Sequence, residues 1–125
     1  MSFTTAITKY GKSLMAGRIG GLTSDYAYVV AVGYGTTAPT EYDTGLENLA
    51  GWDLAPLIAL DTTDTADDTL KVQYAVALSA DHAGIYEVGI FSYDGYLIAR
   101  AVSDVPDLAA LVEGAFLFPI AEGSF

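Results

Sequence analysis

From Leu70 to Leu78 the apolar residues Leu70, Val72, Tyr74, Val76 and Leu78 alternate with Lys71, Gln73, Ala75 and Ala77. A period of two puts one set on one face, so this segment reads as a strand with one buried side. The runs Ile85–Tyr93 and Tyr96–Val102 are apolar on both faces and flank the pair Asp94-Gly95. An Asp-Gly between β-rich runs favours a two-residue type I′ turn, because both central positions need positive φ. That turn sets Tyr93 opposite Tyr96, Phe91 opposite Ile98 and Gly89 opposite Arg100. Tyr86, Val88 and Ile90 then share a face with Ala99 and Ala101. Ile85, Glu87 and Phe91 share the other with Ile98, Arg100 and Val102. A hairpin apolar on both faces belongs inside a sheet covered on both sides. In this register Glu87 lies diagonally from Arg100 on one face, within reach of a long side chain, which predicts a structural ion pair.

The rest of the pattern is shorter-ranged. Thr4-Thr5 can cap a helix starting near Ala6, with Ile7, Tyr10, Leu14 and Ile19 on one side and Gly20-Gly21 at its end. Gly11 and Gly17 each weaken such a helix by about 1 kcal/mol relative to Ala, so packing must hold it. Tyr26–Gly33 reads as a strand. Thr44 and Glu47 fit a capping box opening a short helix over Gly45–Ala50. Trp52–Leu60 should be extended, with Pro56 confining it to an edge or a bulge. Ser103–Gly114 reads as a short helix with Pro106 in its first turn, or as an irregular loop. Ala115–Ile120 is the last strand, its end placed at an edge by Pro119. Together these pieces predict one α+β domain over residues 1–125, mainly β, with an N-terminal helix packed on an antiparallel sheet or sandwich of about six strands.

Composition changes this picture in two ways. The 125 residues include 16 acidic and 5 basic ones, a formal net charge of −11, and no cysteine. Such a surface repels nucleic-acid phosphates, and it would also suit high salt. Without cysteine there are no disulfides or thiolate metal sites. The apolar runs fall far short of the ~20 residues of a membrane span, and no basic stretch followed by an apolar one opens the chain as a secretory signal would. Lys9, Lys12 and Arg18, three of the five cations, fall on the first helix. They read as a solvated face or as a docking face for an acidic neighbour.

Candidate chemistry is sparse. Gly33-Tyr34-Gly35 follows a strand, but no third glycine and no Lys-Ser/Thr pair follow, so a plain turn is expected instead of a phosphate loop. Asp61, Asp64, Asp67 and Asp68 are spaced unlike a calcium-binding loop and read as a solvated hairpin loop. His82 has no nucleophile or second acid arranged around it. The expectation is therefore no catalysis, no cofactor and no metal. Tyr26, Tyr28, Tyr34 and Tyr42, drawn from nine tyrosines, could line a binding surface for sugars among other ligands.

The order Glu87-Val88-Gly89-Ile90-Phe91, a turn ending in Gly95, then Leu97-Ile98-Ala99-Arg100-Ala101 resembles the core signature of the phage tail-collar fibre family. The opening ITKYGKSLMAGRIGG and the segment AVGYGTTAPT are similar to that family's first helix and strand-to-glycine turn. The resemblance implies a structural virion subunit assembled in the host cytoplasm and sited at the tail tip, baseplate or fibre attachment. It implies a homo-oligomer, with a trimer favoured, whose partners are other tail or baseplate proteins and neither nucleic acid nor membrane. The family's shaft and receptor-binding tip have no counterpart in these residues, which points to an adaptor or baseplate-peripheral role. A capsid turret or head-decoration protein and a small carbohydrate- or receptor-binding module are the alternatives. Lys9, Lys12, Arg18, Trp52 and Phe125 are the candidate docking surface.

Overall fold

A computed structural model describes residues 3–60, 69–76, 84–107 and 113–119. The fold is α+β and mainly β: one helix, α1 (Lys9–Ile19), and the strands β1 (Phe3–Ile7), β2 (Ala27–Gly33), β3 (Leu49–Asp53), β4 (Leu57–Leu60), β5 (Thr69–Ala75), β6 (Ile85–Ser92), β7 (Leu97–Asp107) and β8 (Glu113–Pro119). They form a five-stranded sheet, ordered β1-β7-β6-β2-β3, and a three-stranded sheet, ordered β4-β5-β8, with every pairing antiparallel.

One core joins the two sheets and the helix. Val30 and Val32 of β2, Val88 and Ile90 of β6, Val72 and Tyr74 of β5, and Leu14 of α1 are buried in a single cluster. A second cluster, Ala31, Phe91 and Leu97 with Val29 and Leu46 against it, lies on the opposite face of the large sheet. There the covering element is the irregular segment 34–48, which contributes Leu46. The β6–β7 hairpin is thus covered on both sides, as its two apolar faces require.

Several elements differ from the sequence pattern. The first residues form strand β1 along β7, with Thr5 opposite Ala101, and not the first turn of a helix. The helix begins three residues later than expected, capped by Thr8, whose hydroxyl accepts the Gly11 N–H at 3.0 Å. Thr8 is chosen over Thr4 and Thr5 because its hydroxyl also donates to the Leu97 carbonyl at 2.6 Å, while its N–H bonds the Ile98 carbonyl at 2.9 Å. No helix forms over 45–50, for the carboxylate of Glu47 caps the N–H groups of Thr36 and Thr37 instead of its own segment. Trp52–Leu60 is split between the two sheets, β3 ending at Asp53 and β4 starting just after Pro56. Residues 103–107 continue β7 and do not start a helix. Pro106 fits there because the register jumps between the pairs Ile85–Asp107 and Glu87–Val102, the irregularity where a strand tolerates proline.

The hairpin turn is also one residue longer than a type I′ loop. Gly95 N–H donates to the Ser92 carbonyl at 3.0 Å and Ser92 N–H to Tyr96 at 2.8 Å. The turn therefore centres on Tyr93-Asp94, with Gly95 in the left-handed region at φ 95°, the three-residue loop in which glycine absorbs the extra twist. Phe91 accordingly pairs with Leu97 and not with Ile98. A bulge then corrects the register: Ile90 pairs with Ala99, leaving Ile98 as the extra residue, and Gly89 still faces Arg100. Asp61–Asp68, His82 and Phe125 lie outside the described residues, as does the segment 108–112.

Candidate functional site

Glu87 and Arg100 are brought together at the centre of the large sheet. Glu87 is fully buried and Arg100 is 3% exposed, and Arg100 Nε donates to Glu87 Oε1 at 2.9 Å. The carboxylate does more than hold the arginine. Its Oε2 accepts the N–H groups of Gly35 at 2.7 Å and Asn48 at 2.9 Å, and Oε1 accepts that of Glu47 at 2.9 Å. Segment 34–48 is therefore pinned to the sheet at both ends by one buried acid.

This explains the Gly33-x-Gly35 pattern. A Cβ at Gly35 would come within 2.3 Å of Glu87 Oε2, and one at Gly33 within 2.3 Å of the Asn48 carbonyl. The glycines admit an anion close to the backbone, but the anion is this chain's own carboxylate and not a phosphate.

Around the pair sit two further acids, Asp43, which sequence spacing did not single out, and Glu47, which it placed in a capping box. Arg100 Nη1 donates to Asp43 Oδ2 at 3.1 Å. Burial pushes the Asp43 carboxyl up, but hydrogen bonds from Thr40 and Arg100 outweigh it and hold Asp43 below the usual range. The Thr37 hydroxyl and the Thr36 and Thr37 N–H groups hold Glu47 low as well. Both acids are therefore ionised at neutral pH. No group of three or more His, Cys, Asp or Glu side chains suited to a metal ion occurs among the described residues.

The cations of α1 meet acids of the same segment. Lys9 and Lys12 lie 3.5 and 3.3 Å from the Glu41 carboxylate, with Lys9 also over the Tyr42 ring, 5.2 Å from its centroid. Lys12 beside Glu41 holds that carboxyl below its ordinary value. The acidic neighbour of these lysines is thus internal. Arg18 is exposed in the last turn of α1, where its charge favours the helix dipole. Trp52, 39% exposed, packs against Phe91 with centroids 5.0 Å apart.

A second cluster surrounds the hairpin turn. Tyr93 stacks on Tyr26 at 5.5 Å and meets Tyr28 edge-on at 4.9 Å, and all three rings are 42–58% exposed. The structure thus joins Tyr26 and Tyr28 to Tyr93, whereas Tyr34 packs against the core and Tyr42 sits beside Lys9. Asp25 holds this end together. Its Oδ1 accepts the N–H groups of Tyr26 at 3.0 Å and Asp94 at 3.1 Å, and its Oδ2 accepts the Tyr10 hydroxyl. Tyr10 in turn stacks on Tyr96 at 4.6 Å. Only the fold brings residues 10, 25 and 94 to one point, and no local pattern marks Asp25.

The Asp25 bond pushes the Tyr10 hydroxyl up to about 12, and burial alone does the same for Tyr74. Burial raises the Asp25 carboxyl, but the bonds from Tyr10, Ser92, Asp94 and Tyr26 leave it lowered on balance. The raised Tyr10 value means stability present below pH ~10, the unfolded value, and lost as pH climbs toward about 12. The lowered Asp25 value means stability present above its ordinary value and lost in acid. Tyr10→Phe keeps the ring on Tyr96 but removes the bond. In urea melts at a series of alkaline pH values, the variant should lose less stability than the wild type between pH ~10 and ~12. Parallel curves would show that the hydroxyl does not couple to folding.

No helix among the described residues is long and apolar enough to cross a membrane. Compared with models of protein families, with curated proteins and with solved structures, the chain matches none.

Proposed function

We propose that this chain is a non-enzymatic, homo-oligomeric subunit of a tailed virus particle, placed at the tail tip or fibre attachment. The observation that carries the reading is the likeness of the β6–β7 hairpin to the tail-collar fibre signature. Its Glu87 and Arg100 are buried structural groups that pin segment 34–48 to the sheet. A buried pair with its carboxylate filled by backbone N–H groups is built to hold a fold, not to exchange protons with a substrate. Exposed apolar residues support the oligomer: Leu49 and Trp52 on edge strand β3, Leu54 just beyond it, Ile19 at the end of α1 and Leu22 after it. A subunit interface would draw on such residues and bury about 800 Å² from each partner.

The test is the position of the chain on intact particles, by cryo-electron microscopy or gold-labelled antibody. Density or label at the tail is expected. Label on the capsid alone would move the protein to a turret or decoration. A free monomer in infected cells, absent from particles, would overturn the reading. The exposed tyrosine cluster specifically favours a second reading, a small carbohydrate- or receptor-binding module, since three rings in mutual contact at a hairpin tip present a stacking surface.

A further inference from the structure

The end of α1 carries side chains that their own chain leaves unused. Gly20 caps the helix and Gly21 takes a positive φ of 69°, with the Gly21 N–H on the Arg18 carbonyl at 3.2 Å and the Leu22 N–H on that of Gly17 at 2.7 Å. In such a helix ending, the residue in Leu22's place packs back on the turn before the cap. Here that turn offers Ala16 and Gly17, too small to receive it. Leu22 stays 86% exposed, near Ile19 at 77%. Arg18 is exposed beside them and pairs with no carboxylate among the described residues, whereas Lys9 and Lys12 share Glu41, and Arg100 holds Glu87 and Asp43. The result is a fixed knob of two aliphatic side chains and one cation.

A surface of the opposite chemistry lies at the hairpin tip. Tyr26, Tyr28 and Tyr93 touch one another and are each about half exposed. Among the described residues no cation lies over these rings, and the exposed Asp94 follows Tyr93. Asp25 fixes this platform by accepting the N–H groups of Tyr26 and Asp94. A guanidinium can stack on a tyrosine ring while pairing with a carboxylate, and aliphatic side chains cover the remaining aromatic surface. Only Thr23-Ser24-Asp25 separate knob from platform in sequence, yet the exposure of Ile19 and Leu22 shows that the two do not meet within one chain. A partner for the platform must bring a cation with apolar side chains, and a partner for the knob must bring an acid with rings. A second copy of this chain brings both.

We propose that Arg18, Ile19 and Leu22 of one copy dock on Tyr26, Tyr28, Tyr93 and Asp94 of a second copy, which returns the same contact about a two-fold axis. The inference rests on the homo-oligomeric reading above and supplies its interface. A two-fold exchange uses knob and platform on both copies, as an interface of about 800 Å² per partner requires. Both surfaces are held by backbone hydrogen bonds before they meet, so little ordering entropy is lost on docking.

The experiment is sedimentation of the full chain over a range of concentrations, for the wild type and for Leu22→Asp, Arg18→Glu and Tyr93→Ser. The wild type should form dimers reversibly. Each variant changes an exposed side chain, should keep the wild-type circular dichroism, and should weaken the dimer by about tenfold or more, as loss of an interface anchor does. Mixing is the decisive arm. Leu22→Asp keeps its platform and Tyr93→Ser keeps its knob, so an equimolar mixture should dimerise more tightly than either variant alone, through the one contact that is intact on both sides. Arg18→Glu mixed with Tyr93→Ser repeats the test should Leu22→Asp misfold. A wild type that stays monomeric, a trimer, or a mixture no tighter than its components would each overturn the inference. Assembly through other residues would overturn it too, while leaving the virion-subunit reading to its own test on intact particles.

Discussion

Glu87→Gln should lower stability by about 3–5 kcal/mol, the cost of leaving one partner of a buried ion pair uncompensated. For a domain whose whole stability is ~5–15 kcal/mol this is a large share, readable as an early urea or thermal transition. Two losses combine. Arg100 keeps only Asp43 as a charged partner, and an amide nitrogen replaces an oxygen that accepted from backbone N–H groups of Gly35, Glu47 or Asn48. The double variant Glu87→Gln/Arg100→Met separates them. Removing the stranded cation should restore part of the stability, while the unfilled N–H groups keep it below the wild type. A single-variant loss of under ~1 kcal/mol, the worth of an exposed pair, would show that the centre is not buried.

Gly11→Ala should destabilise the chain by about 1–3 kcal/mol, the range for overpacking a well-filled contact. The sign is the informative part, because the same change inside an ordinary helix stabilises it by about 1 kcal/mol. A Cβ at position 11 would stand 2.3 Å from the Ile98 carbonyl oxygen and 3.0 Å from Ile7 Cγ2. That carbonyl is backbone and already accepts the Thr8 N–H, so the helix must back away from β7 and strain its own cap. Gly17→Ala is the control on the same helix. Its nearest neighbour is a Thr23 methyl at 2.9 Å, which a side-chain rotation can move. Calorimetry of the two variants should show Gly11→Ala melting below the wild type and Gly17→Ala close to it. A Gly11→Ala protein as stable as the wild type would mean that α1 is not seated on β7 as described.

Alternation along a strand is a local property, and local properties were readable from the chain alone. The buried side of β5, with Val72 and Tyr74 in and Gln73 out, follows from period two. So does the two-sided burial of β6 and β7, whose apolar residues fall on both faces. The diagonal of Glu87 and Arg100 was legible because Gly89 faces Arg100 in the register expected and in the one found. That agreement has two parts the sequence hid: the longer turn at Gly95 shifted the pairing, and the bulge at Ile98 shifted it back.

What tertiary structure decided was which partner each polar group takes. Thr4, Thr5 and Thr8 are equally good caps by type. Thr8 is used because β1 lies along β7 and brings the carbonyls of Leu97 and Ile98 to that one hydroxyl and N–H. Glu47 stands where a capping box wants it, yet Thr36 and Thr37 take its carboxylate once segment 34–48 folds back over Glu87. Asp25 and Asp43 bond near neighbours, Tyr26 and Thr40, but their distant partners, the Asp94 N–H and Arg100, lie 69 and 57 residues away in sequence, where no local pattern marks them. Hydrophobic burial is set by a residue's own apolar surface and its spacing, so it is written along the chain. A buried polar group is tolerated only when its hydrogen bonds are made, and the atoms that make them are chosen by the fold.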